Sequence, residues 1–173
     1  MAIDSAYTSQ RQVAATFHKF EFDNLTNLDY GGGKYDDATE YLETINSTNL
    51  VFDPFNRSKA HNDEVISEVI KTGVNTITCL NVLNVVRDQS ERIAILSEIK
   101  HLAMGCIDTR GELPDIYIQV YEGNRTGTPS KTTAQLNWKL DQYISEIRDL
   151  FSEDEWHLTK VGNILKFSYT LTS

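Results

Sequence analysis

Short β-branched or aromatic runs alternate with stretches of helical periodicity along almost the whole of this chain. "NLDY" ends at Gly31, Gly32 and Gly33, and "DDATEYLETIN" then places Ala38, Tyr41, Leu42 and Ile45 on one helical face. Thr48 to Asp53 reads as a second strand closed by Pro54, which lacks a backbone donor, and the helix around "NDEVISEVIKT" stops at Gly73. Thr76 to Leu80 predicts a further strand that opens into a loop carrying Asn81 and Asn84. Ile93, Leu96, Ile99, Leu102 and Ala103 form one stripe of a helix, with Ser90 as N-cap and an end near Gly105. Pro114 opens the strand "PDIYIQVYEG", Ala134 to Phe151 has the spacing of a long helix, and the tail reads as two strands about a "VGN" turn. Such alternation calls for an α/β fold, a mostly parallel sheet covered by helices, with the terminal hairpin as an antiparallel edge. Val13, Ala14, Phe17 and Phe20 predict a short helix from about Arg11, which divides the chain into a helical lead-in over 1–24 and a main domain over 25–173.

With 173 residues, 40% of them hydrophobic, the chain can bury a core without disulfides or metals. Its formal charge of −9 removes any net pull toward nucleic acid or an anionic membrane, leaving only local basic patches at Arg57 and Lys59 or at Arg125 and Lys131. No apolar run approaches the roughly 20 residues that span a bilayer. Cys79 and Cys106 lack metal-ligand spacing and His18, His61, His101 and His157 are scattered, so no metal is expected. The cysteines read as buried thiols of a cytoplasmic protein.

Glycine loses more backbone freedom on folding than any other residue, so three in a row need a reason. In a parallel sheet, ligands bind beyond the carboxyl ends of the strands where strand order reverses, and the first strand-to-helix turn lies there. Gly31 to Gly33 occupy that turn, and Asp53 ends the next strand twenty positions after Gly33, where a carboxylate can accept both hydroxyls of a ribose. A nucleoside-containing ligand is the reading that joins the two. It is not a P-loop ligand, because Tyr35 stands where that loop needs a hydroxyl, and Asp36 replaces the third glycine of a dinucleotide loop. Asp29, beside the turn, favours a ligand carrying an ammonium or a sulfonium over one carrying phosphates.

"LDYGGGK" with "VFDPF" resembles the first two motifs of class I S-adenosylmethionine-dependent methyltransferases, and "DPFNRS", "LNVLNVV" and "VYEGNRTG" resemble small stand-alone methyltransferase-like proteins of bacteria and phages. The resemblance implies a Rossmann-like sandwich and S-adenosylmethionine as cofactor, bound at Asp29, Gly31, Gly32, Gly33, Asp53, Pro54, Leu80 and Asn81, with Asn84 farther out. Only about twenty residues separate Asp53 from the strand after Asn75, so the usual third strand and its adenine-contacting acid are expected to be missing, with Asn62 or Asp63 as substitutes.

Methyl transfer is an in-line displacement that needs positioning above all. Asn81 and Glu122, at predicted carboxyl ends of strands, are the catalytic candidates; Glu122 follows an apolar strand, where partial desolvation makes a carboxylate a better base. Neither the Pro-Pro motif of amino-methylating DNA enzymes nor a Pro-Cys nucleophile is present. The acceptor and the oligomeric state stay open, as do two rivals: a binding module without turnover and an enzyme that degrades the cofactor.

Overall fold

The computed structural model describes residues 11–170; residues 1–10 and 171–173, the outer parts of the lead-in and of the main domain, lie outside the described residues. Strand alternation sorts side chains between two faces of one sheet. In β1 (Thr26–Tyr30), Leu28 and Tyr30 join the main apolar core, whereas Asn27 and Asp29 face the other way. The same sorting holds in β2 (Thr48–Phe52), β3 (Thr76–Leu80) and β4 (Asp115–Gln119), where Leu50, Ile77, Cys79, Ile116 and Ile118 enter that core. β5 (Trp156–Val161) and β6 (Ile164–Tyr169) form the terminal hairpin.

The sheet order is β2-β1-β3-β4-β6-β5. β1 pairs in parallel with both β2 and β3, β3 with β4, and β6 lies antiparallel to β4. From β1 the chain moves outward to β2 through α2 (Asp37–Thr44), then returns past β1 to β3 through α3 (Lys59–Thr72). This reversal makes the gap between β1 and β3 the switch point of the sheet. β2 is the edge of the sheet and no strand lies beyond it among the described residues, so the core is shortened as its spacing implied.

Helix α3, α4 (Gln89–Arg110) and α5 (Asp141–Leu150) bring Val65, Val69, Leu96, Ile99, Tyr143 and Ile147 to the main core. On the opposite face, Phe17, Phe22 and Leu42 pack on Tyr117, so the segment before β1 is part of the same packed unit. Its helix, α1, spans only Thr16–Lys19 rather than starting near Arg11.

Three further helix boundaries differ from the sequence expectation. Asp88, not Ser90, caps α4, its carboxylate accepting both the N–H and the hydroxyl of Ser90. Gly105 lies inside that helix, which continues to Arg110 and stops at Gly111 in the left-handed region, because a glycine can sit in a helix at modest cost. The periodic stretch from Ala134 forms helix only from Asp141: Leu136 and Leu140 are buried by tertiary packing, and Asn137 has φ +59°, which no helix accommodates.

Arg92 fastens α4 to α5. Its guanidinium donates to both carboxylate oxygens of Glu146 at 2.9 and 2.6 Å, to the carbonyls of Val86 and Arg87, and lies over Trp138. Both charges are nearly inaccessible to water, so removing one strands the other. Glu146→Ala should lower unfolding free energy by about 3–5 kcal/mol, read from a urea midpoint, and the double variant Arg92→Met, Glu146→Leu should recover most of that loss.

Candidate functional site

Beyond the carboxyl ends of β1, β2 and β3 lies a cavity of about 200 Å³ lined by Asp29, Gly31, Gly32, Gly33, Asp53, Pro54, Phe55, Leu80 and Asn81, among others. All the cofactor residues expected from sequence therefore converge on one space. Gly31 and Gly33 have φ of +80° and +81°, the region that only glycine enters without strain. Gly31 has a second reason to lack a side chain, since a Cβ there would come within 2.6 Å of Val82 Cγ2; at Gly32 it would meet Asp29 Oδ2 at 2.7 Å.

Asp53 holds this turn in place. Its Oδ2 accepts from Gly33 N–H at 2.9 Å and Asn56 Nδ2 at 3.0 Å, and its Oδ1 accepts from the N–H groups of Phe55 and Asn56. The carboxylate is 1% exposed. Asn62 reinforces the same corner, its amide pairing with both the N–H and the carbonyl of Asp53, so it is a scaffold of the turn rather than a cavity residue. Asp63 pairs with Lys59 and does not line the cavity either. Arg57 donates to the carbonyls of Gly33 and Tyr35 and to Asp36, stitching the far side of the loop, and is no phosphate-binding rim.

The floor of the cavity is polar. Asp29 Oδ1 accepts from Thr78 Oγ1 at 3.0 Å, and Asn27, Asn49 and Thr76 continue a buried hydrogen-bonded row across the three strands. Asp29 is almost inaccessible and forms no ion pair among the described residues. Burial pushes its carboxyl up to about 6, against the hydrogen bonds of Thr78 and Asn49 that favour the charged form. On the other face of β1, burial and then the neighbouring Glu98, which accepts the hydroxyl hydrogen bond, hold Tyr30 well above its usual range and protonated.

A second, wider cleft of about 1030 Å³ adjoins the first and shares Gln12, Ala14, Asn81 and Val85 with it. Asn81, at φ +59°, stands where the two meet. Asn84, Gln119, Tyr121, Asn137 and Asn163 line the wide cleft; Asn81, Asn84 and Tyr121 fall on the strand-end rim expected from sequence, whereas the walls from the lead-in, the 123–137 loop and the final hairpin come from segments distant in sequence. Glu122 lines neither space. Its carboxylate accepts from Leu140 N–H at 2.8 Å and pairs with Arg125, which anchors the approach to α5.

No protein-family model matches the sequence, and a search of curated proteins finds no relative. Solved structures do match. The magnesium protoporphyrin IX methyltransferase of Synechocystis PCC 6803, solved with bound SAH, is 14% identical, with a TM-score of 0.50 over 86% of this chain and 75% of that one. A SAM-dependent methyltransferase from Aquifex aeolicus is 11% identical, with a TM-score of 0.53 over 91% of this chain and 88% of its own. A TehB-like SAM-dependent methyltransferase from Corynebacterium glutamicum is 14% identical, with a TM-score of 0.51 over 86% of this chain and 82% of its own. This chain has the class I methyltransferase fold. Within the methyltransferase fold, the narrow cavity lies at the switch point and the wide cleft beside it.

The raised carboxyl of Asp29 has a consequence for stability. Because the folded protein binds this proton more tightly than the unfolded chain, Asp29 destabilises the fold above about pH 6, and the penalty is relieved as pH falls from 6 toward 4. Asp29→Asn should therefore raise stability at pH 7.5, by up to roughly 3 kcal/mol, and remove that part of the pH dependence, as measured by thermal melts from pH 4 to 8.

Proposed function

We propose that this protein is an S-adenosylmethionine-dependent methyltransferase that takes its cofactor in the narrow cavity and its acceptor in the wide cleft. The observation that carries the reading is Asp29: a buried carboxylate without an ion-pair partner among the described residues, on the floor of a cavity at the switch point, beneath a turn of three glycines. Such a group stabilises a ligand that brings positive charge, and the ammonium and sulfonium of S-adenosylmethionine supply it. A phosphate ligand would meet Asp29 with repulsion.

The remaining residues fit the same ligand. Gly31 to Gly33 let the methionine part approach bare backbone, and Pro54 and Leu80 supply apolar walls. Asp53 borders the ribose side; its bond from the Asn56 side chain is the one a ribose hydroxyl would replace, since the three backbone donors hold the turn itself. Phe55, half exposed at the cavity rim, offers an apolar face to the adenine at the edge of the sheet where no strand lies beyond β2 among the described residues. The bound cofactor supplies an electrophilic methyl group. Asn81, between the two spaces, aligns the acceptor with it, and Glu122 is given no part in proton removal because its carboxylate is engaged at Leu140 and Arg125.

Binding without turnover, or breakdown of the cofactor without a methyl acceptor, would use the same cavity but not the wide cleft. The products separate them: methyl transfer yields S-adenosylhomocysteine, breakdown yields other fragments, and a binder yields nothing. Calorimetric titration at pH 7.5 should show micromolar binding of S-adenosylmethionine. Affinity should fall about tenfold by pH 5, where a carboxyl titrating near 6 is about nine-tenths protonated, and by at least as much in Asp29→Asn at pH 7.5. Absence of binding in the folded protein would refute the proposal, and affinity independent of both pH and Asp29 would refute the role of that carboxylate.

A further inference from the structure

The wide cleft has an unusual chemistry for its size: amide side chains dominate its polar lining, and no lysine, arginine or carboxylate lines it among the described residues. Most of the amides have structural work. Gln119 Oε1 accepts from the N–H and the hydroxyl of Thr16, Asn137 bridges Asn124 N–H and the Thr128 carbonyl, and Asn163 donates to the Val120 carbonyl. Asn84 is different. It is 2% exposed, and its Oδ1 is buried without a hydrogen-bond partner. Its place is fixed by the main chain, in a 3-10 turn over Leu83–Val85 whose Asn84 carbonyl accepts from Leu136 N–H. Nor does Asn81 Nδ2 donate to any described residue, although its Oδ1 accepts from Gln119 Nε2 at 3.4 Å.

A buried polar atom without a partner lowers stability, and such atoms are rare unless a ligand or water satisfies them. On the methyltransferase reading, to which this inference belongs, that ligand is the acceptor. We infer that the wide cleft takes a neutral nitrogen heterocycle of the nucleobase class, as a free base or nucleoside, with Asn84 accepting from an amino or lactam N–H. An amide recognises an adjacent donor and acceptor on a planar ring, which is how Asn and Gln read bases. Tyr121, 60% exposed at the cleft wall, adds an aromatic face for stacking. An acceptor that buries a carboxylate or phosphate here would find no lysine or arginine on the lining and only the imidazole of His18, and a polynucleotide would face a chain of charge −9.

Such an acceptor needs no base. A ring nitrogen has an in-plane lone pair free to form the new C–N bond as the bond between the methyl carbon and sulfur breaks. The electron pair of that broken bond stays on sulfur, and the positive charge passes from sulfur to the ring, with no proton to remove.

The test uses the full chain saturated with S-adenosylhomocysteine and titrated with cytidine and guanosine, neither of which shares the cofactor's adenine. At least one should bind, and Asn84→Ala should weaken it tenfold or more without lowering Tm, since the lost amide oxygen had no protein partner. Undiminished affinity in Asn84→Ala, or binding of benzoate or the nucleoside monophosphates but of neither nucleoside, overturns the assignment. Tighter binding of a short single-stranded oligonucleotide than of the nucleosides overturns the choice of a free acceptor. Asn84-dependent nucleoside binding in a protein that ignores S-adenosylhomocysteine would leave the cleft assignment standing and sink the methyl-transfer reading instead.

Discussion

The carboxylate of Asp53 ties the end of β2 to the glycine turn after β1, and the shape of the narrow cavity follows from that tie. With backbone donors from Gly33, Phe55 and Asn56 converging on it, two loops that are far apart in sequence become one rim. Gly31 and Gly33 supply the positive φ that brings the backbone into reach, and Asn62 fixes Asp53 from behind. A preformed rim of this kind reduces the ordering that a ligand must impose on binding.

Behind the rim, the two faces of the sheet divide the labour. Leu28, Ile77, Ile116 and the helices α3 to α5 form an apolar core that provides the hydrophobic stabilisation. Asn27, Asp29, Asn49, Thr76 and Thr78 make the opposite face polar where it approaches the cavity. That arrangement costs stability at Asp29, whose charge is buried without an ion-pair partner among the described residues, and on the proposed reading a cationic ligand is what offsets that cost. Local destabilisation at a functional group is common because the rest of the core can offset it.

Much of this was legible in the sequence. The order of strand, glycine turn, helix and acidic strand end places Asp29, Gly31 to Gly33 and Asp53 together, because period-2 and period-3.6 patterns survive in short elements and βαβ topology leaves few alternatives. What was not legible depends on contacts distant in sequence. Ala134 to Leu140 has helical spacing, yet Leu136 and Leu140 are apolar for packing and the backbone turns at Asn137. Glu122 looked like a strand-end base until Leu140 N–H, eighteen residues on, was found to occupy it. Asn84 could be placed near the site but not recognised as buried and unpaired, since no local pattern distinguishes it from Asn137 or Asn163.

For methyl transfer to occur here, one ligand must span the narrow cavity and reach Asn81. The most direct measurement is a crystal structure of the protein with S-adenosylhomocysteine. Its ammonium should lie against Asp29, its ribose along the Asp53–Asn56 edge and its sulfur facing the wide cleft at Asn81. Density for the ligand anywhere else on the protein, or the reverse orientation with adenine over Asp29, would contradict this placement.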